Sequence, residues 1–201
     1  MSNIFNKLLF VIILIIIAFL AYPVFLDANL LSISMDNRPK ILIDPGHGGV
    51  DPGAVYGDFY EKDTTLEVSK KLKKYLTRHG FNVVMTRYKD QTLSQKQRVE
   101  IINKENPLLF ISIHVNSFRD PYVKGMEIHW YNNQSKDLAQ IIANSLQKRQ
   151  SLTNIRGALR SRYYVIKNTN VPGILLEIGY ITNPSDKYCI TVDYGQKLIA
   201  E

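Results

Sequence analysis

The stretch KILIDPGHGG, residues 40–49, decides the fold class of this chain. Its first half is a short apolar run that ends at Asp44, and its second half is a glycine-rich turn that contains His47. An apolar run that is followed by such a turn predicts a buried strand and then a tight loop. The sequence therefore predicts that the polar side chains of this turn lie at one edge of a sheet.

Strands and helices alternate along the rest of the chain. Residues 64–79 have apolar side chains at mostly helical spacing, a Thr64-x-x-Glu67 capping box and Gly80 as a stop. Further strands are predicted at 81–85, 108–114, 126–131 and 174–178, and further helices at 94–104, 135–149 and from Asp193 onward. This alternation predicts an α/β fold, a largely parallel twisted sheet with helices on both faces, in a single domain over residues 40–201.

The N-terminal segment has a different character. Residues 8–26 are an uncharged apolar run, and a helix of this length is about 28 Å long, which matches the hydrocarbon thickness of a bilayer. Lys7 precedes the run and Asp27 follows it, so the positive-inside rule places the rest of the chain outside the cell membrane. We predict an anchor over residues 1–27 and a short tether over 28–39. A cleaved signal peptide is the alternative, although no Ala-x-Ala site follows closely.

Composition and charge limit the class of protein and of partner. Apolar residues make up 45% of the chain and charged residues 21%, which predicts a packed globule rather than a disordered chain. The net charge is +7, which suits an anionic surface or polymer. The lysines and arginines are scattered without a nucleic-acid signature, so we predict no nucleic-acid binding. The single cysteine, Cys189, excludes an internal disulfide.

Polar residues lie at three of the predicted strand ends. His47 comes just past the first strand, His114 closes the third, and Glu177 lies near the end of the late strand. Glu61 precedes the first helix, a position from which we expect it to reach back over the end of the first strand. Chemistry in such sheets collects outside the carboxyl ends of the strands, so these side chains are expected to converge. Two imidazoles and one carboxylate match the three-ligand set of catalytic zinc, which leaves Glu177 as an acid beside the metal.

Each of these residues also has a structural interpretation. His47 suits hydrogen bonding within a glycine-rich turn, and Glu61 suits the start of a helix through the helix dipole. Glu177 is harder to explain in this way, because a carboxylate in an apolar strand must be paired, metal-associated or energetically costly. His79 and His129 are predicted to be structural. The glycine-rich turn lacks the Gly-Lys-Ser/Thr ending of a P-loop, which argues against nucleotide binding.

Five motifs in this order resemble those of the zinc-dependent N-acetylmuramoyl-L-alanine amidases of the Amidase_3 family. They are IDPGHGG at 43–49, EKD at 61–63, MTR at 85–87, SIHVNS at 112–117 and LLEIGYITN at 175–183. The resemblance covers nearly the whole chain after residue 40. It implies that His47, Glu61 and His114 bind one zinc ion and that Glu177 is the catalytic acid and base. The implied reaction is hydrolysis of the amide bond between the lactyl group of N-acetylmuramic acid and L-alanine in peptidoglycan.

The resemblance leaves several questions open. Asn116 is a candidate for orienting the substrate, while Arg87 and Arg98 suit either contacts with peptide carboxylates or structural roles. The small anchored layout resembles amidases of spore-cortex maturation, with vegetative wall turnover and daughter-cell separation as open alternatives, and no activating protein partner is identified. Two rival classes are a zinc peptidase that cuts within the peptide stem and a silent wall-binding module. The intact Glu177 argues against the second.

Overall fold

The structure is a computed structural model that describes residues 38–148 and 154–201. The predicted anchor, residues 1–27, and nearly all of the predicted tether lie outside the described residues. Within the described ranges, no helix combines the length and the apolar character that a membrane crossing requires.

Eight strands and six helices make up the described residues. The strands are β1 (Lys40–Pro45), β2 (Val55–Tyr56), β3 (Phe59–Tyr60), β4 (Asn82–Met85), β5 (Leu109–Asn116), β6 (Met126–Trp130), β7 (Ile155–Arg160) and β8 (Gly173–Tyr180). The helices are α1 (Glu61–Arg78), α2 (Gln95–Glu105), α3 (Asn133–Lys148), α4 (Tyr164–Asn168), α5 (Pro184–Thr191) and α6 (Asp193–Ala200). Strands β2 and β3 form a separate hairpin between β1 and α1.

The main sheet has six strands in the order β4-β1-β5-β8-β6-β7. The first four are parallel to one another, while β6 runs antiparallel to β8 and β7 runs parallel to β6. The predicted α/β fold with a largely parallel sheet is therefore confirmed. Because four parallel strands share one carboxyl edge, the loops that follow β1 and β5 and the end of β8 lie near one another.

The two faces of the sheet differ in chemistry. One face packs apolar side chains such as Ile43 and Ile113 against α1 and α5, while Ile128 packs against α3. The other face packs Leu42 and Phe110 against α2 and α4. Side chains alternate between faces along a strand, so the next side chains on this second face are Asp44 after Leu42 and Ser112 after Phe110. Both are polar, and this face of the sheet therefore becomes polar toward its carboxyl edge.

Helix α1 begins earlier than the sequence predicts. Its first residue is Glu61, and its N-cap is Tyr60, whose side chain makes no capping hydrogen bond. The predicted capping box at Thr64 is wrong, because Thr64 lies inside the helix. Glu61 is therefore part of α1 rather than of a preceding loop, and its negative charge suits the first turn of the helix. The predicted end of the helix is confirmed, with His79 as the C-cap.

Candidate active site

His47 lies in the turn after β1 in an uncommon backbone conformation. Its φ is +59°, which few residues other than glycine adopt. Two buried arginines hold the turn: Arg98 donates to the carbonyl of His47, and Arg87 donates to the carbonyl of Gly46 at 2.8 Å. The imidazole Nδ1 lies 2.8 Å from Oδ2 of Asp51. This contact fixes the orientation of the ring and leaves Nε2 facing the interior of the site.

Glu61 is the most constrained side chain of the site. It is 3% exposed, its Oε2 accepts a hydrogen bond from the N–H of Ala54 at 2.8 Å, and its Oε1 accepts one from the N–H of Val115 at 2.9 Å. Oε1 also lies 3.0 Å from Nδ1 of His114 and 3.2 Å from Nε2 of His47. Burial alone would raise the pKa of Glu61, but the hydrogen bonds with the two histidines outweigh it and hold the pKa well below its usual range.

The structure brings His47, Glu61 and His114 together as a possible metal site. Each residue offers one ligand atom, and these atoms lie within 4.8 Å of one another. Two glycines make this approach possible, because a Cβ on Gly46 would lie 2.5 Å from Cε1 of His114 and a Cβ on Gly53 would lie 2.5 Å from Oε2 of Glu61. The donor set of two imidazoles and one carboxylate can hold a metal ion and suits zinc.

Glu177 lies beside these three residues, on the neighbouring strand β8. It lies opposite His114 in the parallel pair β5–β8, so both side chains project from the same face. Glu177 is 7% exposed, and its Oε2 is buried without a hydrogen-bond partner among the described residues. Burial raises the pKa of Glu177 to about 7, and the negative charges of Glu61 and Glu127 act in the same direction, although His114 opposes them. A carboxyl group with a pKa near neutrality can both accept and release a proton.

A cavity of about 260 Å³ opens onto these four side chains. Its other walls come from the start of α2, the end of β5, the segment before and within α4, and β8. The residues that line it are His47, Glu61, Gln95, His114, Val115, Asn116, Tyr163, Tyr164, Val165, Leu175 and Glu177. The cavity thus joins a possible metal site, a buried acid and two tyrosines in one place.

The chain resembles known proteins over most of its length. The Amidase_3 family, described as N-acetylmuramoyl-L-alanine amidase, matches residues 41–201. The chain belongs to the Amidase_3 family. Its similarity extends to a curated relative, the probable cell wall amidase LytH of Staphylococcus epidermidis, which is 36% identical over 164 residues that cover 80% of this chain and 54% of the relative. The chain thus spans about half the length of the curated relatives that it matches.

Two solved structures of N-acetylmuramoyl-L-alanine amidases have the same fold. The N-acetylmuramoyl-L-alanine amidase from Clostridium difficile 630 superposes with a TM-score of 0.77 at 32% identity, over 82% of this chain and 91% of that one. The amidase AmiC2 of Nostoc punctiforme superposes with a TM-score of 0.76 at 35% identity, over 81% of this chain and 91% of that one. The predicted family is therefore confirmed together with the fold.

The other predicted residues of this Amidase_3 chain fall into two groups. Asn116 lines the cavity at the end of β5, where its Nδ2 lies 3.5 Å from Oε2 of Glu127. Arg87 and Arg98 are 1% and 3% exposed and donate to the backbone carbonyls of Gly46 and His47, respectively, in the turn after β1, and Arg98 also pairs with Asp44 at 2.7 Å. Their guanidinium groups are occupied inside the fold, which confirms the structural interpretation of these two arginines.

A second polar network beside Glu177 was not predicted. Glu127 lies opposite Glu177 in the antiparallel pair β6–β8. Its Oε1 accepts hydrogen bonds from Nε of Arg156 at 2.6 Å and from the hydroxyl of Tyr180 at 2.8 Å, and its Oε2 lies 3.2 Å from Nε2 of His129. The signal in the sequence is the alternation of Glu127 and His129 with apolar residues along β6, which places two polar side chains on one face of a buried strand.

Proposed function

We propose that this chain is a zinc-dependent amidase that hydrolyses the bond between the lactyl group of N-acetylmuramic acid and L-alanine in peptidoglycan. The observation that carries the proposal is the position of Glu177, a buried carboxyl group with an unpartnered oxygen beside the group formed by His47, Glu61 and His114. Membership of the Amidase_3 family supports the same reaction.

The donor set supports zinc as the cofactor. Nε2 of His47 and Nδ1 of His114 both face Oε1 of Glu61, whose carboxylate is held by two backbone N–H groups. These three residues would supply the three protein ligands that a catalytic zinc site requires. Bound zinc lowers the pKa of a water molecule and polarises a carbonyl oxygen, which are the two contributions that hydrolysis of an unactivated amide needs.

Glu177 would move the protons of the reaction. Its ionised carboxylate takes a proton from the attacking water as the bond between the water oxygen and the lactyl carbonyl carbon forms. The same group, now protonated, donates that proton to the nitrogen of L-alanine as the carbon–nitrogen bond breaks. One carboxyl group with a pKa of about 7 suits both steps, because neither its protonated nor its ionised form is strongly disfavoured near neutral pH.

Asn116 is proposed to orient the substrate. Its side chain lines the cavity, its Oδ1 accepts a hydrogen bond from the N–H of Ser117 at 2.8 Å, and its Nδ2 faces Glu127 at 3.5 Å. The amide group is therefore held through Oδ1, and the long contact at Nδ2 leaves this donor available to a substrate carbonyl.

The decisive experiment is digestion of purified peptidoglycan by the full chain with added zinc, followed by mass spectrometry of the new amino termini. New L-alanine termini are the expected result. New termini at other residues would identify a peptidase that cuts within the stem, and binding without new termini would identify a wall-binding module. Either of these outcomes would overturn the proposed reaction.

We also propose that the chain acts outside the cell membrane, with residues 1–27 as its anchor. Support comes from the apolar run at residues 8–26, the charges that flank it, and the description of the relatives as cell wall amidases. The protein should fractionate with membranes. A mature amino terminus beyond residue 26 would instead identify a cleaved signal peptide. A role in spore-cortex maturation stays a prediction.

A further inference from the structure

Arg156 occupies an irregular position in β7 close to the candidate site. In the parallel pair β6–β7, Met126 pairs with Ile155, but the next pair is Glu127 with Gly157, so Arg156 is an extra residue in the strand. Gly157 has a φ of +111°, a conformation that glycine adopts readily and that accommodates the bulge. Bulges of this kind redirect side chains and are common next to active sites. The bulge therefore makes Arg156 a candidate for a role in substrate binding.

Glu127 and Tyr180 hold the guanidinium of Arg156 in place. Nε donates to Oε1 of Glu127 at 2.6 Å, and Cζ lies 5.7 Å from the centre of the Tyr180 ring, whose hydroxyl donates to the same oxygen. The side chain of Arg156 is nevertheless 41% exposed, and Glu127 is its only hydrogen-bond partner in the part of the chain that the structure describes. A guanidinium that is fixed through Nε, and whose Nη atoms make no hydrogen bond among the described residues, is suited to a bidentate contact with a carboxylate.

Glu127 also connects Arg156 to the candidate site. It lies opposite Glu177 on the neighbouring strand, and its Oε2 lies 3.5 Å from Nδ2 of Asn116, which lines the cavity. Arg156 is therefore connected to the edge of the cavity through Glu127 and Asn116, on the side formed by β6 and β7. Arg87 and Arg98 are buried under the turn after β1 and cannot serve this purpose.

We infer that Arg156 binds a carboxylate of the peptide stem and so favours stems that carry a free α-carboxylate on the residue after L-alanine. This inference rests on the proposed amidase function. That second residue is a D-glutamate linked through its γ-carboxyl group, so its α-carboxylate is the first anionic group beyond the scissile amide. Conversion of this carboxylate to a carboxamide removes the charge while it leaves the shape almost unchanged. The two forms of the stem are therefore a matched pair of probes for the guanidinium.

The test compares two synthetic N-acetylmuramoyl tripeptides that differ only in this group, a carboxylate or a carboxamide. For each substrate, kcat/KM is measured with the zinc-loaded full chain, with Arg156→Gln and Arg156→Lys, and with Arg160→Gln as a matched control. Arg160 is an exposed arginine of the same strand that stacks on Trp130 and Tyr131 instead. We expect the unmodified chain to prefer the carboxylate form by at least tenfold. Arg156→Gln should bring this ratio close to one, mainly through KM, and Arg156→Lys should give an intermediate ratio because lysine cannot make the bidentate contact.

The possible failures are distinguishable. A ratio near one in the unmodified chain, or a high ratio that survives in Arg156→Gln, would overturn the role of Arg156 while the release of L-alanine still supports the amidase. Equal losses on both substrates in Arg156→Gln would identify Arg156 as a structural counter-ion of Glu127 and would also overturn the inference. If the unmodified chain cleaves neither substrate, the proposed amidase function fails, and the inference fails with it. A changed ratio in Arg160→Gln would mean that general surface charge, and not Arg156, causes the preference.

Discussion

Glu177 and Glu127 lie opposite each other on antiparallel strands, yet the pKa values of their carboxyl groups are shifted in opposite directions. Burial alone would raise both pKa values. At Glu127 the hydrogen bonds from Tyr180 and Arg156 outweigh burial and lower the pKa, whereas Glu177 has a buried oxygen without a partner and its pKa rises to about 7. The pair therefore consists of one permanent anion and one group that can carry a proton.

The first prediction follows from the charge of Glu127. In Glu127→Gln a neighbouring negative charge is removed, so the ionised form of Glu177 becomes more favourable and its pKa falls. Since Glu177 must be ionised to accept a proton, activity is lost as the pH falls through its pKa, and the acid limb of kcat/KM should move to lower pH in the variant. Both profiles are measured on zinc-loaded protein, so that the difference between them reports the loss of the Glu127 charge. The exposed Asp137→Asn is the control, and an unmoved limb in Glu127→Gln would contradict the prediction.

The second prediction concerns Glu177 itself. Glutamine has nearly the same shape but cannot accept and return a proton at neutral pH, so Glu177→Gln should keep its fold, zinc content and peptidoglycan binding. Its turnover should fall by roughly 10²- to 10⁴-fold, the range typical of a lost general acid or base. Zinc analysis and turnover on the same preparation separate the outcomes. Loss of zinc would make Glu177 a ligand, and near-normal turnover would refute the proposed mechanism.

The third prediction concerns the metal. A chelator should abolish activity, and added zinc should restore it, because His47, Glu61 and His114 form an open three-ligand site. His47→Ala and His114→Ala should each lower both the zinc content and the turnover. His79→Ala removes a histidine from the C-cap of α1, remote from these ligands in the chain, and should retain one zinc per chain. Unchanged zinc stoichiometry in both ligand variants would refute the assignment.

Much of the fold could be predicted because its central strands are buried on both faces. Strands β1, β5 and β8 are nearly continuous apolar runs, and each was predicted to within two residues at most of its ends. Strand β7 was missed because it is a partly exposed edge strand with a glycine at its bulge, so neither a continuous run nor a clear alternation marks it. The start of α1 was misplaced because its N-cap, Tyr60, has no side-chain capping bond to recognise.

The candidate site was also predictable only in part from the sequence. His47, His114 and Glu177 could be grouped because each lies close to the end of a predicted parallel strand, and Glu61 because it is the acid at the start of the next helix. The roles of Glu127 and Arg156 depend instead on which residues face each other across β8, β6 and β7. Periodicity along one strand does not fix the register between strands, least of all where a bulge shifts it.

The fourth prediction concerns Asp51, which contacts Nδ1 of His47 at 2.8 Å. A hydrogen bond to the second nitrogen of a ligating histidine fixes the ring and raises its basicity, and its loss typically costs 10- to 100-fold in metal affinity. Asp51→Ala should therefore weaken zinc binding by roughly this factor. Competition with a chromophoric chelator measures the affinity. Asp63→Ala removes an exposed acid from the first turn of α1 and is the control; equal affinities in the two variants would show that Asp51 does not support His47.

The last prediction concerns Asp44, a buried residue of β1 that supports the turn carrying His47. Asp44 is fully buried and accepts hydrogen bonds from Thr86 at 2.6 Å, Arg98 at 2.7 Å and Ser112 at 2.8 Å. Burial would raise the pKa of Asp44, but the charge of Arg98 and these hydrogen bonds lower it below its ordinary value of 3.8. Asp44→Asn leaves the buried Arg98 without its counter-ion, which should lower the free energy of unfolding at neutral pH by roughly 3–5 kcal/mol.

The pH dependence of this effect has a definite sign. Because the folded-state pKa of Asp44 is depressed, its contribution to stability is fully present above the ordinary value of 3.8 and is lost as the pH falls through the folded-state pKa. The difference in unfolding free energy between the unmodified chain and Asp44→Asn should be constant from neutral pH down to the region of pH 5 and should shrink below pH 3.8. Urea unfolding at a series of pH values measures this difference, and the exposed Asp58→Asn provides the control with little change at any pH. A difference that stays constant down to the acid transition would mean that Asp44 does not stabilise the turn through its charge.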